Sequence, residues 1–123
     1  MLEAPLTENI IGALIEVHRF WGPGLYEEIY ERSLVEELRQ RGLAVANQLA
    51  IPLLYKGAQV GDDLRVDVIV EGKVVVEVKA VRELLPVHQS QLLTYLRLTG
   101  CRVGLLANFH VSAMKDGIRR MVL

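Results

Sequence analysis

One cysteine, Cys101, serves the whole chain of 123 residues. A single thiol rules out an internal disulfide and a cysteine-rich zinc site, and it suits a reducing compartment. Aromatic residues are scarce as well, at 6%, so the core has to be assembled from Val, Leu, Ile and Ala. Charge of one sign is not in surplus. The formal net charge is -1, and no global positive field would draw the chain to nucleic acid. Any such partner would have to be held by a local patch. Long apolar runs are missing too; none approaches the roughly 18 residues of a membrane span. The opening "MLEAPLTENI" has an early Glu and no basic leader before an apolar stretch, unlike a secretory signal. Repeats, low-complexity segments and linkers are not seen. Together these absences predict one soluble, cytoplasmic domain over residues 1–123 with no membrane partner.

What is present is apolar. The hydrophobic fraction of 51% and mean hydropathy of +0.27 belong to a folded chain. In a small chain that surplus also points to a buried subunit interface, with a homodimer or a partner protein on its other side. "TENIIGALIEVHRFWG" predicts a first helix with Thr7 as N-cap and Ile10, Ile11, Leu14, Val17 and Trp21 on its packed stripe. "LYEEIYERSLVEELRQRG" predicts a second, acidic early and basic late, stopped by Gly42. "LAIPLLYKGAQV" reads as a strand, a turn at Lys56–Gly57 and a further strand. "RVDVIV", "EGK" and "VVVEVKAV" form a hairpin. "PVHQSQLLTYLRLTG" is a third helix, from Pro86 to Gly100. "CRVGLLANF" is a buried strand after a helical crossover, which allows it to lie parallel to the strand before. "SAMKDGIRRMVL" closes with a short helix or turn and a strand-like tail. The order predicts an α/β (mixed α+β) fold, a mixed sheet with helices packed on it.

The hairpin carries charges that strands seldom hold without a purpose. Centred on Gly72, it sets Val70 against Val74, Ile69 against Val75 and Asp67 against Glu77, with Arg65 and Lys79 the next pair on that face. Alternation gives the other face to Val66, Val68, Val70, Val74, Val76 and Val78. Opposed residues have Cβ atoms about 4.5–5.5 Å apart, where like charges repel. Two facing carboxylates ask for a cation between them. Either Arg65 and Lys79 pair diagonally with Glu77 and Asp67 on a solvated face, or the acids hold a divalent metal with Lys79 beside its water.

Asp67, nine intervening residues, then Glu77-Val78-Lys79 resembles the D-x(n)-E-x-K core of the PD-(D/E)XK nuclease superfamily. Gly24, Glu27 and Tyr30 reproduce the G-x-x-E-x-x-Y signature of the GxxExxY protein family, a small-domain branch of that superfamily. "VHRFWGPGLYEEIYERSL", "QLAIPLLYKGAQVG", "VDVIVEGKVVVEVKAV", "QSQLLTYLRLTG" and "VGLLANF" resemble the family in order, over nearly the whole chain. Two positions depart from the pattern. Val66 precedes Asp67 where the superfamily's name has Pro, and His110 follows "ANF" where Gly is expected. The resemblance implies a restriction-endonuclease-like core, a Mg²⁺ or Mn²⁺ cofactor, and hydrolysis of nucleic-acid phosphodiester bonds, with DNA in preference to RNA.

The residues divide into roles on that basis. Asp67, Glu77 and the Val78 carbonyl would bind the metal, with Glu27 completing the shell directly or through water. Glu27 lies in line with Tyr30, Leu34, Leu38 and Arg41, although a first-turn acid also suits the helix dipole. Lys79 would activate the attacking water or steady charge on the phosphate. His88, Gln91 and Tyr95, at i, i+3 and i+7, share one helix face. Gln91 and Tyr95 resemble a Q-x-x-x-Y element that some of these nucleases carry after the E-x-K strand, where Gln orients the metal site or the nucleic acid. His88 otherwise reads as a helix-start polar group, Tyr95 as a core aromatic with a wet hydroxyl, and His18 as structural. Arg65, Arg82 and Arg97 could supply phosphate contacts. A catalytically idle nucleic-acid-binding or protein-assembly domain stays open beside this reading, as does a nuclease subunit that relies on a partner for grip. The chain is minimal, slightly acidic and without an added recognition module.

Overall fold

Helix α1 (Ala4–Trp21) and helix α2 (Glu27–Gln40) lead the computed structural model, which describes residues 2–123. Helix α1 begins upstream of Thr7, with Pro5 in its first turn, where a missing N–H leaves nothing unpaired. Thr7 is therefore inside the helix and not its cap. Its buried hydroxyl donates back to the Glu3 carbonyl at 2.7 Å. Ile10, Leu14 and Val17 are buried as the stripe predicts, but Trp21 is 46% exposed. Its indole sits edge-on to Phe20 and donates to the Ser33 hydroxyl at 2.9 Å, because the helix ends there and its last turn overhangs the core.

The strands β1 (Val45–Ile51), the small hairpin β2 (Leu54–Tyr55) and β3 (Ala58–Gln59), then β4 (Leu64–Val70) and β5 (Val74–Lys79) follow. Helix α3 (Pro86–Thr99) crosses to β6 (Val103–Asn108), and a 3₁₀ turn (Met114–Gly117) leads into β7 (Ile118–Val122). The main sheet runs β1-β4-β5-β6-β7. Neighbours are antiparallel except β5 and β6, which are parallel. This is a mixed five-stranded sheet flanked by helices, the architecture of a restriction-endonuclease-like core. Among the described residues, no helix is long and apolar enough to cross a membrane.

Each face of the sheet has its own core. Helices α1 and α2 cover Val68, Val70, Val74, Val76 and Val78 together with Val103, Leu105 and Ala107. Helix α3 covers Ile69, Val75 and Leu106 through Leu92 and Leu96. Strand β6 is buried from end to end, as expected of a strand covered on both faces. The β4–β5 turn has positive φ at Glu71 and Gly72, the backbone that tight hairpins require. Its register pairs Val70 with Val74, Ile69 with Val75 and Val68 with Val76. Val66 departs from the predicted valine face. It packs with Ile69, Val75 and Leu92, so the alternation breaks at Asp67, where the β4–β5 ladder also ends.

Two glycines mark close approaches. A Cβ on Gly104 would lie 2.8 Å from Leu92 Cδ1, and one on Gly117 would overlap the Asn108 carbonyl oxygen. Gly104→Ala should destabilise the fold by about 1–3 kcal/mol, the usual cost of overpacking a core. Gly117→Ala should cost more, because backbone yields less readily than a leucine tip. Urea midpoints measure both, and a Gly117→Ala midpoint equal to wild type would contradict the packing described.

Candidate active site

The end of the β4–β5 ladder is where charge gathers. Past Val68–Val76 the strands stop exchanging backbone hydrogen bonds, and side chains take over the free donors. Glu77 Oε1 accepts from the Asp67 N–H at 3.2 Å, and Asp67 Oδ2 accepts from the Val78 N–H at 2.9 Å. Each acid is thereby held against the other's strand. Glu77 is only 4% exposed. Burial, reinforced by the neighbouring Asp67 carboxylate, pushes its pKa up to about 8, against the opposing pull of the Asp67 N–H and of Lys79.

The diagonal ion pairs are not formed. Among the described residues the salt bridges are Arg19–Glu16, Arg32–Glu28 and Arg41–Glu37. Arg65 is exposed and turns to the Gln48 carbonyl at 3.4 Å. Lys79 is half-buried. A solvated, salt-bridged face therefore does not describe this end of the sheet. Glu77 is too deep for it, and Arg65 is directed to the Gln48 backbone.

The strand end beyond Lys79 is clamped from two sides. Glu27 Oε1 accepts from the Ala80 N–H at 3.1 Å. Asn108, buried at the end of β6, receives the Val81 N–H at 3.0 Å and donates to the Val81 carbonyl at 2.9 Å. The Phe109 N–H bonds the Lys79 carbonyl at 2.8 Å. Helix α2 is seated by Tyr30, whose hydroxyl accepts from the Leu25 N–H and donates to the Gly22 carbonyl. Its ring stacks on Phe109 at 4.3 Å between centroids. Gly24 has φ 98°, open to glycine and rarely to other residues. In this chain Gly24 turns the loop, Tyr30 fastens it and Glu27 reaches the sheet.

The remaining predicted residues are not all drawn to this centre. Tyr95 is half-buried against Leu92 and Leu96, and its pKa is raised by burial and then by the charges of Glu77 and Asp67. Gln91 is exposed one turn earlier on α3. His88 accepts the Leu85 N–H on Nδ1 at 2.9 Å and closes the start of α3. Arg82 and His88 line a shallow recess with Val81, Glu83 and Leu85. Arg97 is exposed in the last turn of α3. Among the described residues no hydrogen bond or ion pair joins Arg82, His88 or Arg97 to the acid pair. His18, buried, bonds the Val111 carbonyl at 2.8 Å.

Three participants escaped the sequence analysis. Asn108 had a signal, being the polar end of a buried strand that lies parallel to the one bearing Lys79. Glu31 had one too, four residues after Glu27 on the same helix face. Gln48 had none. Glu31, Gln48 and Asp67 line an open recess with Glu27, Glu28, Arg32 and Asn47. Burial raises the Glu31 pKa; the Gln48 hydrogen bond opposes this, and the Asp67 charge adds to it.

Among the described residues no three His, Cys, Asp or Glu side chains form a complete metal cage. The oxygen donors brought together here are the Asp67 and Glu77 carboxylates. That set suits a hard cation such as Mg²⁺, which takes one or two carboxylates and keeps much of its water. Two adjoining carboxylates, one of them buried and, among the described residues, without an ion-pair partner, need a proton or a cation between them.

A family model described as the PD-(D/E)XK nuclease superfamily matches residues 4–121. No curated protein and no solved structure matches the chain.

The raised Glu77 pKa has a sign. The folded state keeps a proton that the unfolded chain releases near 4.5, so stability is full below that pH and falls as pH rises toward 8. In EDTA the melting temperature should drop between pH 5.5 and 8.5, with Glu31 adding in the same direction. Glu77→Gln should remove most of that drop; an unchanged slope in the variant would place its cause elsewhere.

Proposed function

Because the chain belongs to the PD-(D/E)XK nuclease superfamily, we propose that it is a Mg²⁺- or Mn²⁺-dependent phosphodiesterase of the GxxExxY branch. Its substrate is nucleic acid, DNA in preference to RNA, and one nuclease-like domain spans residues 1–123. The observation that carries this reading is the acid pair: Asp67 and Glu77 lie against each other where β4 and β5 part, with no ion-pair partner among the described residues.

Asp67, Glu77 and the Val78 carbonyl would hold the ion, with Glu27 at its margin. A bound divalent cation lowers the pKa of water and polarises a phosphoryl oxygen. The other residues bind, orient and neutralise. Lys79 steadies charge developing on the phosphate, and the clamps on Ala80 and Val81 hold its backbone in place. Gln91 orients water or substrate from α3, beside the Tyr95 hydroxyl. Arg65, Arg82 and Arg97, with His88, take flanking phosphates, which position a strand without reading its sequence.

One observation favours a second reading, a catalytically idle nucleic-acid-binding or assembly domain. The recess beside Asp67 is walled by Glu27, Glu28 and Glu31, and its one guanidinium, Arg32, is tied to Glu28 at 2.7 Å. Such walls repel a polyanion, so a second copy or a partner protein would have to supply grip; light scattering distinguishes monomer from homodimer.

Glu77→Gln should abolish Mn²⁺ binding in calorimetry, and undiminished affinity would sink the site assignment. Lys79→Ala should keep Mn²⁺ uptake while losing about 100-fold or more of metal-dependent cleavage, the scale of removing one charge-stabilising group. Supercoiled plasmid, linear duplex and single strands serve as substrates. If wild type and Lys79→Ala are alike on all three, the idle-domain reading stands instead.

A further inference from the structure

Strand β1 contains a backbone conformation that strands avoid. Gln48 has φ 52°, in the left-handed region that non-glycine residues rarely occupy. Its position is informative. The β1–β4 ladder pairs Asn47 with Val68 and Leu49 with Val66, and passes over the rung that would join Gln48 to Asp67. Non-glycine residues in this region recur where a side chain must be aimed.

Gln48 Nε2 lies 2.9 and 3.0 Å from the two oxygens of Glu31 and 3.3 Å from Asp67 Oδ1. Ionised carboxylates only accept, so the amide must face them with its nitrogen, and its two N–H groups are divided between two acids. Asp67 Oδ2 is already committed to the Val78 N–H. Both Asp67 oxygens therefore rest on neutral donors, and the plane of the carboxylate is set. The Arg65 guanidinium reaches the Gln48 carbonyl at 3.4 Å, on the backbone side of the same residue.

We propose that Gln48 is a positioning residue, whose carboxamide bridges Glu31 and Asp67 and presents Asp67 to the divalent cation. The choice of side chain follows from charge. Lys or Arg at this point would also quiet the repulsion between the acids, but would neutralise the site that has to attract a cation. A carboxamide supplies donors and no charge. The proposal rests on the metal reading above, with Gln48 acting through Asp67 and touching neither ion nor substrate.

Gln48→Gly is the suitable variant, because glycine takes the left-handed backbone without strain and the fold is not threatened. Titration of Mn²⁺ into Gln48→Gly should show affinity weakened about 10- to 100-fold, as for other groups that orient a metal ligand. Glu31→Gln combined with Gln48→Gly should be non-additive, since both act through one bridge. Affinity of Gln48→Gly indistinguishable from wild type, or strictly additive effects, would overturn the proposal. Should wild type take up no Mn²⁺, the metal reading fails, and the bridge is judged in EDTA from the urea midpoints of Gln48→Gly, Asp67→Asn and the double variant. Additive shifts there would overturn the bridge and non-additive shifts would support it.

Discussion

Where β4 and β5 part, two carboxylates take the place of backbone rungs, and the surrounding structure is arranged around that exchange. Continued pairing would have given Asp67 and Glu77 nothing but each other. By accepting the N–H groups of Asp67 and Val78, the acids satisfy donors that the divergence would otherwise strand, and buried donors without partners are costly. The exchange also keeps Glu77 deep in the sheet. A carboxylate nearly hidden from water and set against another holds its charge only at a cost, and burial raises its pKa accordingly.

The rest of the fold supplies rigidity at that point. Strand β6 runs parallel to β5 and pairs with it as far as Lys79. Asn108 then holds Val81 by both of its backbone groups. From the other side, Tyr30 and Phe109 stack and bring Glu27 to Ala80. The charged side chains at this end of the sheet sit on a backbone pinned by neutral or capping bonds, and their placement does not depend on salt bridges.

Much of this was legible beforehand, for physical reasons. Strand alternation separated Val74, Val76 and Val78 from Val75, and a register assumed about Gly72 set Asp67 opposite Glu77; the observed rungs from Val70–Val74 to Val68–Val76 follow that register. The helical crossover allowed β6 to lie parallel to β5, as it does. What escaped was set by backbone conformation and by long-range contact. Val66 lies on the other face, across Asp67, which has no rung to β1 or β5, and period-two reasoning assumes an unbroken ladder. Gln48 left no trace because Gln is an ordinary strand surface residue and its left-handed φ has no composition signal. Trp21 looked like core at helical spacing, but spacing does not report where a helix overhangs. The flanking arginines stayed beyond reach because long side chains on a surface follow local geometry.

The chain separations spanned by these bonds rank the parts of the site by the entropy of closing them. The acid pair is joined by contacts ten and eleven residues apart along the chain, within one hairpin. The Asn108 clamp closes over 27 residues and the Glu27 contact over 53. Loop-closure entropy grows with separation. The frame around Lys79 thus costs more closure entropy than the acid pair it surrounds.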